Sequence, residues 1–137
     1  MPRKYEFNPE KSIGLTIYKI DKAAKKIGLK ESKPEYKSFK NIIYRFNRDV
    51  RDLSRINTFT FSKMKQEVES AHKLSVDSRD FTLLKAALKT ASDTFKPIVE
   101  QLKEKEKALD EKLKPILSKK QFKKWEKYKL KQKTKRS

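Results

Sequence analysis

The densest group of side chains able to do acid-base chemistry is Glu104, Glu106, Asp110 and Glu111. Paired carboxylates serve as general acid and base when their surroundings hold them in different protonation states. Here they alternate with Lys103, Lys105, Lys107 and Lys112, the charge pattern of a solvated helix face. His72 is the only histidine and there is no cysteine, so neither an imidazole pair nor a thiolate can hold a metal, and no triad can be assembled. His72 falls near the end of a long helical pattern, where the negative pole of the helix dipole would favour it. The chain therefore reads as non-enzymatic, with no cofactor and no metal.

Charge is the stronger signal. Lys and Arg number 37 against 18 Asp and Glu, a net charge of +19. From 118 to 137 there are ten basic residues and one acidic, Glu126. On a helical wheel Gln121, Phe122, Trp125 and Tyr128 share one face, while Lys120, Lys123, Lys124, Lys127 and Lys131 cluster opposite. Such a ridge attracts phosphates or acidic proteins over long range. Arg48 and Arg55, with Arg45 and Arg51, are candidates to join it as a groove. The aromatics fall on apolar stripes, where core packing is the simpler role.

These residues must be positioned by helices. With 137 residues the chain allows one domain. At 35% hydrophobic and 40% charged its core is thin, yet eight Phe, five Tyr and one Trp are too many for a disordered tail. Gly14 and Gly28 are the only glycines, which removes tight hairpins and Gly-rich phosphate loops. The expected fold class is all-α: a long antiparallel helical hairpin, a short N-terminal helical segment and a C-terminal basic amphipathic helix.

Residues 1–31 are expected to be irregular, with short helices opening at Asn8-Pro9 and closing at Gly28. Ser32 and Glu35 have the S-x-x-E form of a capping box, so a first long helix is expected over 32–74. Its stripe is Tyr36, Phe39, Ile43, Phe46, Val50, Leu53, Asn57, Phe61, Met64, Val68 and Ala71, near heptad spacing with one stutter. The β-rich stretch 56–61 lies inside this stripe and reads as helix. A connection at 75–78, capped by Asp77 or Ser78, leads to a second long helix over 78–117, striped by Leu84, Leu88, Ala91, Phe95, Ile98, Leu102, Leu109, Leu113 and Ile116, with a kink expected at Pro97. Phe46, Val50 and Leu53 should then lie level with Leu102, Ile98 and Phe95. Ile42, Ile56, Phe59, Leu83 and Ala87 flank the seam and call for cover from the N-terminal segment or from a second subunit, hence a homodimer. A second box, Ser118 with Gln121, starts a helix over 118–132, with a tail at 133–137. That helix is expected to dock on the hairpin in preference to lying on anionic lipid. No run approaches the roughly 20 apolar residues of a membrane span, so no integral membrane segment is expected.

Leu117-Ser118-Lys119-Lys120-Gln121-Phe122 followed by Lys124-Trp125 resembles the L-T-x-x-Q motif of Spy/CpxP-type small periplasmic helical proteins, in the L-[ST]-x-x-Q-x-x-x-W form found among secreted proteins of Bacteroidetes-type bacteria. Ile27-Gly28-Leu29 with Ser32 and Glu35 stands where that family places its first copy. Ser replaces Thr, Glu35 replaces Gln, and Leu15-Thr16 leads to Lys19 where the family has Gln. The resemblance implies a thin curved hairpin that dimerises into a cradle and works as an ATP-independent chaperone or envelope-stress protein, holding unfolded or acidic clients on a basic, partly apolar surface. It implies a periplasmic location if a signal peptide has been removed, and otherwise a cytoplasmic one. The residues alone leave an alternative open: a basic helical protein bound to nucleic acid or the ribosome.

Overall fold

Asn8 opens the first ordered element: its side-chain oxygen accepts the Lys11 amide at 3.1 Å, and Pro9 occupies the first helical position, where a missing N–H costs nothing. The computed structural model describes residues 5–136, with side chains through Lys133; residues 1–4 and Ser137 lie outside the described residues. Six helices and no strand are found among the described residues. They are α1 (Pro9–Ser12), α2 (Ile20–Ile27), α3 (Pro34–Ile56), α4 (Thr58–Ser78), α5 (Thr82–Leu113) and α6 (Lys119–Arg136). Gly28 closes α2 in the left-handed region at φ 74°, a conformation that glycine adopts without steric cost.

Five boundaries differ from the sequence reading; one is the end of the second long helix, expected at 117 and found at Leu113, before Pro115. Ser32 and Glu35 do not form a capping box. Lys33 takes the cap position with no side-chain bond, because the residue before a proline is held extended and Lys33 (ψ 141°) cannot be the first helical residue that a Ser32 cap requires. The single helix expected over 32–74 is divided at Asn57. The Asn57 side chain donates to the Leu53 carbonyl at 2.8 Å and the Thr58 hydroxyl to the Arg55 carbonyl at 2.8 Å, so side chains compete for carbonyls that the helix would use. Residues 75–78 are helical instead of a connection, and Asp77 and Ser78 do not cap the next helix at its first turn. The turn is 79–81, with Arg79 at φ 62°. There Asp80 accepts both the amide of Thr82 at 3.0 Å and its hydroxyl at 2.6 Å, and these bonds hold its carboxyl below the usual carboxylate range. The tail expected from 133 is helical through Arg136, where the Lys133 ammonium donates to Glu106.

α3 and α4 both pack on α5. Near the turn, the buried Ser75 hydroxyl accepts the Leu84 amide at 3.2 Å; further along, Phe61 meets Phe95 edge-on at 5.7 Å. Their stripes are buried: Phe39, Ile43, Phe46, Val50, Leu53, Phe61, Met64 and Val68 from one side, Ala91, Phe95, Ile98, Leu102, Leu109 and Leu113 from the other. Leu88, expected in the seam, is 39% exposed. α5 runs through Pro97 as one helix.

The N-terminal segment lies across this layer and supplies Ile13, Leu15, Thr16 and Tyr18 to the core. Two side chains hold it. Buried Asn47 accepts the Tyr18 amide at 3.0 Å and donates to the Tyr18 carbonyl at 2.8 Å, bonding one residue of irregular backbone as a neighbouring strand would. Glu69 accepts the Phe7 amide at 2.8 Å and the Lys65 ammonium. His72 does not serve the end of α4: its ring stacks on Tyr5 with centroids 3.9 Å apart. The seam's flanks stay largely uncovered: Ile42 and Ala87 are half-buried, and Ile56, Phe59 and Leu83 are 72%, 79% and 54% exposed.

Replacing Asn47 with Ala removes both bonds to a buried peptide unit. At roughly 1–3 kcal/mol per buried polar group deprived of its partner, the expected loss of stability is about 3 kcal/mol by urea denaturation. Faster proteolysis within residues 5–19 should accompany it, and unchanged stability would show that the segment is held elsewhere.

Candidate functional site

The lysine ridge exists because the other face of α6 is pinned. The Ser118 amide donates to Gln121 Oε1 at 3.0 Å and the Gln121 amide to Ser118 Oγ at 3.1 Å, a reciprocal box that sets where the helix begins. Leu117, just before it, is buried. Four residues past the box Trp125 is 0% exposed, edge-on to Tyr18 at 5.1 Å and perpendicular to Phe39 at 6.1 Å. Its indole N–H donates to Asp110 Oδ1 at 3.0 Å. The Lys129 ammonium donates to Asp110 Oδ2 and stands 5.9 Å over the indole ring. Tyr128 is buried and Phe122 half-buried, and burial pushes the Tyr128 phenol above its ordinary value.

Two of the four carboxylates that the sequence reading placed on a solvated face are thus structural anchors. Asp110 holds Trp125 and Lys129, and Glu106 holds Lys133. Glu104 and Glu111 are exposed. Among the described residues no group of three His, Asp or Glu side chains is arranged to hold a metal ion, and no helix is long and apolar enough to cross a membrane.

With its aromatic face turned inward, α6 presents Lys120, Lys123, Lys124, Lys127 and Lys131 to water. None of these five makes an ion pair among the described residues. α6 rests on α2, which buries Ala23, Ala24 and Ile27 and exposes Lys22, Lys25 and Lys26, with Lys19 exposed at its cap. Lys124 reaches over the end of α2: its Nζ stands 3.9 Å from where a Cβ on Gly28 would be. Sequence reasoning did not include these α2 lysines. The signal was present in the two-faced pattern of α2, but nothing in the sequence says that its apolar face meets α6. Arg48 and Arg55 do not join the ridge. They project from the side of α3 opposite its buried stripe, beside Asp49 at 3.8 Å and Asp52 at 3.5 Å, whereas α6 meets α3 through that stripe, at Phe39.

A second surface surrounds the α4–α5 turn. Leu74, Val76, Phe81, Leu83 and Leu88 are all exposed there, and Ile56 and Phe59 stand out at the Asn57 break. Of these, Ile56, Phe59 and Leu83 were expected from the sequence as uncovered flanks; Leu74, Val76 and Phe81 were not. Comparison with known proteins returned no match: no family model, no curated protein and no solved structure aligns with the chain.

Replacing Trp125 with Ala should cost about 3–5 kcal/mol, the usual range for a large aromatic removed from a core, read as a lower thermal or urea midpoint. The single tryptophan should also resist quenching by acrylamide in the native protein. Replacing Lys120, Lys124 and Lys127 together with Gln should change stability by less than about 0.5 kcal/mol, because exposed unpaired charges contribute little.

Proposed function

We propose that this chain is a non-enzymatic, client-holding protein of the Spy/CpxP kind, acting without ATP on unfolded or acidic proteins. The observation that carries the reading is the exposure of Leu74, Val76, Phe81, Leu83, Ile56 and Phe59 on a chain of net charge +19. Apolar groups left in water in such number mark contact surfaces, and a strong positive field speeds encounter with acidic or unfolded chains. The L-S-x-x-Q cap with Trp125 four residues on supports the same reading by resemblance.

In this reading α3 and α4 form one arm and α5 the other arm of a bent helical hairpin, with its tip at 79–81. The α6 ridge adds long-range attraction, and Ile56 and Phe59 are the contact through which two copies make a cradle. The place of action is outside the cytoplasm, in the periplasm after removal of a signal peptide, with a role in envelope stress.

The test is aggregation of a chemically unfolded client without nucleotide. At equimolar ratio the protein should delay light scattering, and a Phe81→Ser, Leu83→Ser, Leu88→Ser variant with an unchanged thermal midpoint should lose most of the delay. No delay by the unaltered protein would overturn the reading. Sedimentation at micromolar concentration should give a dimer that Phe59→Ser dissociates; a monomer would remove the cradle.

A further inference from the structure

We infer that the outer face of α6, with the adjoining end of α2, is a docking surface for the phosphate backbone of double-stranded nucleic acid. This goes beyond client holding: the ridge, which in that reading only adds long-range attraction, is here a binding surface in its own right, away from the apolar side chains of the α4–α5 turn. Thr82 at the tip and Asp110 beneath α6 are 28 residues apart on one helix, about 42 Å at 1.5 Å per residue.

The argument starts from charge and shape. Lys120 to Lys131 is a rise of about 16 Å along a rigid helix, and the five exposed lysines in that span occupy one side of it. One strand of a duplex advances about 3.4 Å per phosphate along the axis but winds once around it in about 10 base pairs, so a straight ridge of this length does not follow one strand; laid across a groove it meets phosphates of both strands, about four in all. Lys124 reaches the end of α2 at Gly28, next to a groove lined by Lys25 and Lys30 together with Asp21 and Glu31. Of the nearby carboxylates, Asp110 and Glu106 bond to α6 from beneath, while Asp21, which accepts the Tyr36 hydroxyl, and Glu31 line that groove at the end of α2, to which α6 contributes no residue. Glu126 alone adds negative charge along α6 between Ser118 and Lys133.

The same geometry separates a duplex from other polyanions. A basic helix that lies on a bilayer inserts its apolar face, but Trp125 and Tyr128 are buried and Phe122 is half-buried, leaving only Leu130 exposed beside the ridge. Proteins that favour single strands stack bases on aromatic rings, and the aromatics of α6 are turned into the core. What is left is contact with phosphates alone, which is blind to sequence and steeply dependent on salt.

The test is fluorescence anisotropy of a labelled 24-base-pair DNA of mixed sequence, titrated with the full chain between 50 and 300 mM NaCl. We expect micromolar binding near 100 mM salt and a slope of log K against log salt of about −4, from roughly 0.9 per phosphate contact. The Lys120→Gln, Lys124→Gln, Lys127→Gln variant should keep its circular dichroism, weaken binding tenfold or more at 100 mM and flatten the slope by about 2.7. The Arg48→Gln, Arg55→Gln variant should bind within twofold of the unaltered chain, and the Phe81→Ser, Leu83→Ser, Leu88→Ser variant should bind the duplex normally, which separates this surface from client holding. Any of four results overturns the proposal: undiminished binding by the triple-lysine variant; tighter binding of a single strand of the same length; retention on phosphatidylserine vesicles at salt that releases the duplex; or equal competition by polyglutamate at matched charge, which would make the ridge a site for acidic protein.

Discussion

The burial of Trp125 ties together four parts of the chain that otherwise have few reasons to meet. Its ring is edge-on to Tyr18 of the N-terminal segment and perpendicular to Phe39 of α3, and its N–H ends on Asp110 of α5. An indole buried without a partner for its N–H would carry a desolvation cost of a kcal/mol or more. Asp110 removes that cost, and Lys129 offsets the charge that Asp110 brings inward. The orientation of α6, and with it the exposure of its lysines, follows from this one contact set.

A thin core explains why the N-terminal segment matters. α3, α4 and α5 bury one stripe each, and a layer of that kind leaves apolar surface on its flanks. The segment covers part of it with Ile13, Leu15 and Tyr18. It is irregular, so its buried peptide groups cannot all bond to one another. Asn47 and Glu69 supply partners from the helices beneath. Polar residues on otherwise apolar or charged stripes are therefore what make an irregular segment part of the core.

The outcome is a molecule in which the lysine face of α6 and the apolar exposure of the α4–α5 turn are separated along α5. The aromatics of the basic end are consumed inside, leaving lysine outside, while the α4–α5 turn keeps Leu74, Val76, Phe81 and Leu83 in water. The Ser75 hydroxyl takes the Leu84 amide and Asp80 holds Thr82 at the turn, yet these four side chains stay exposed, Val76 beside Tyr5 of the N-terminal segment. The exposed lysines of α6 and the exposed apolar side chains of the turn therefore lie on different helices and can be altered one at a time.

The helical class, the two short N-terminal helices, the Ser118–Gln121 box and the two faces of α6 were legible in the sequence because each depends on residues within a few positions of one another. Spacing of 3 and 4 marks a stripe, and Ser with Gln three later marks a cap. The loss of the Ser32 box was legible in principle too, since Pro34 excludes it by local sterics. What only the tertiary structure decided were pairings between distant residues: Asn47 with Tyr18, Asp110 with Trp125, His72 with Tyr5, and α2 with α6. A polar side chain on a helix has the same local pattern whether it faces water or a distant backbone amide. The difference lies in how the chain closes upon itself, and periodicity carries no information about that.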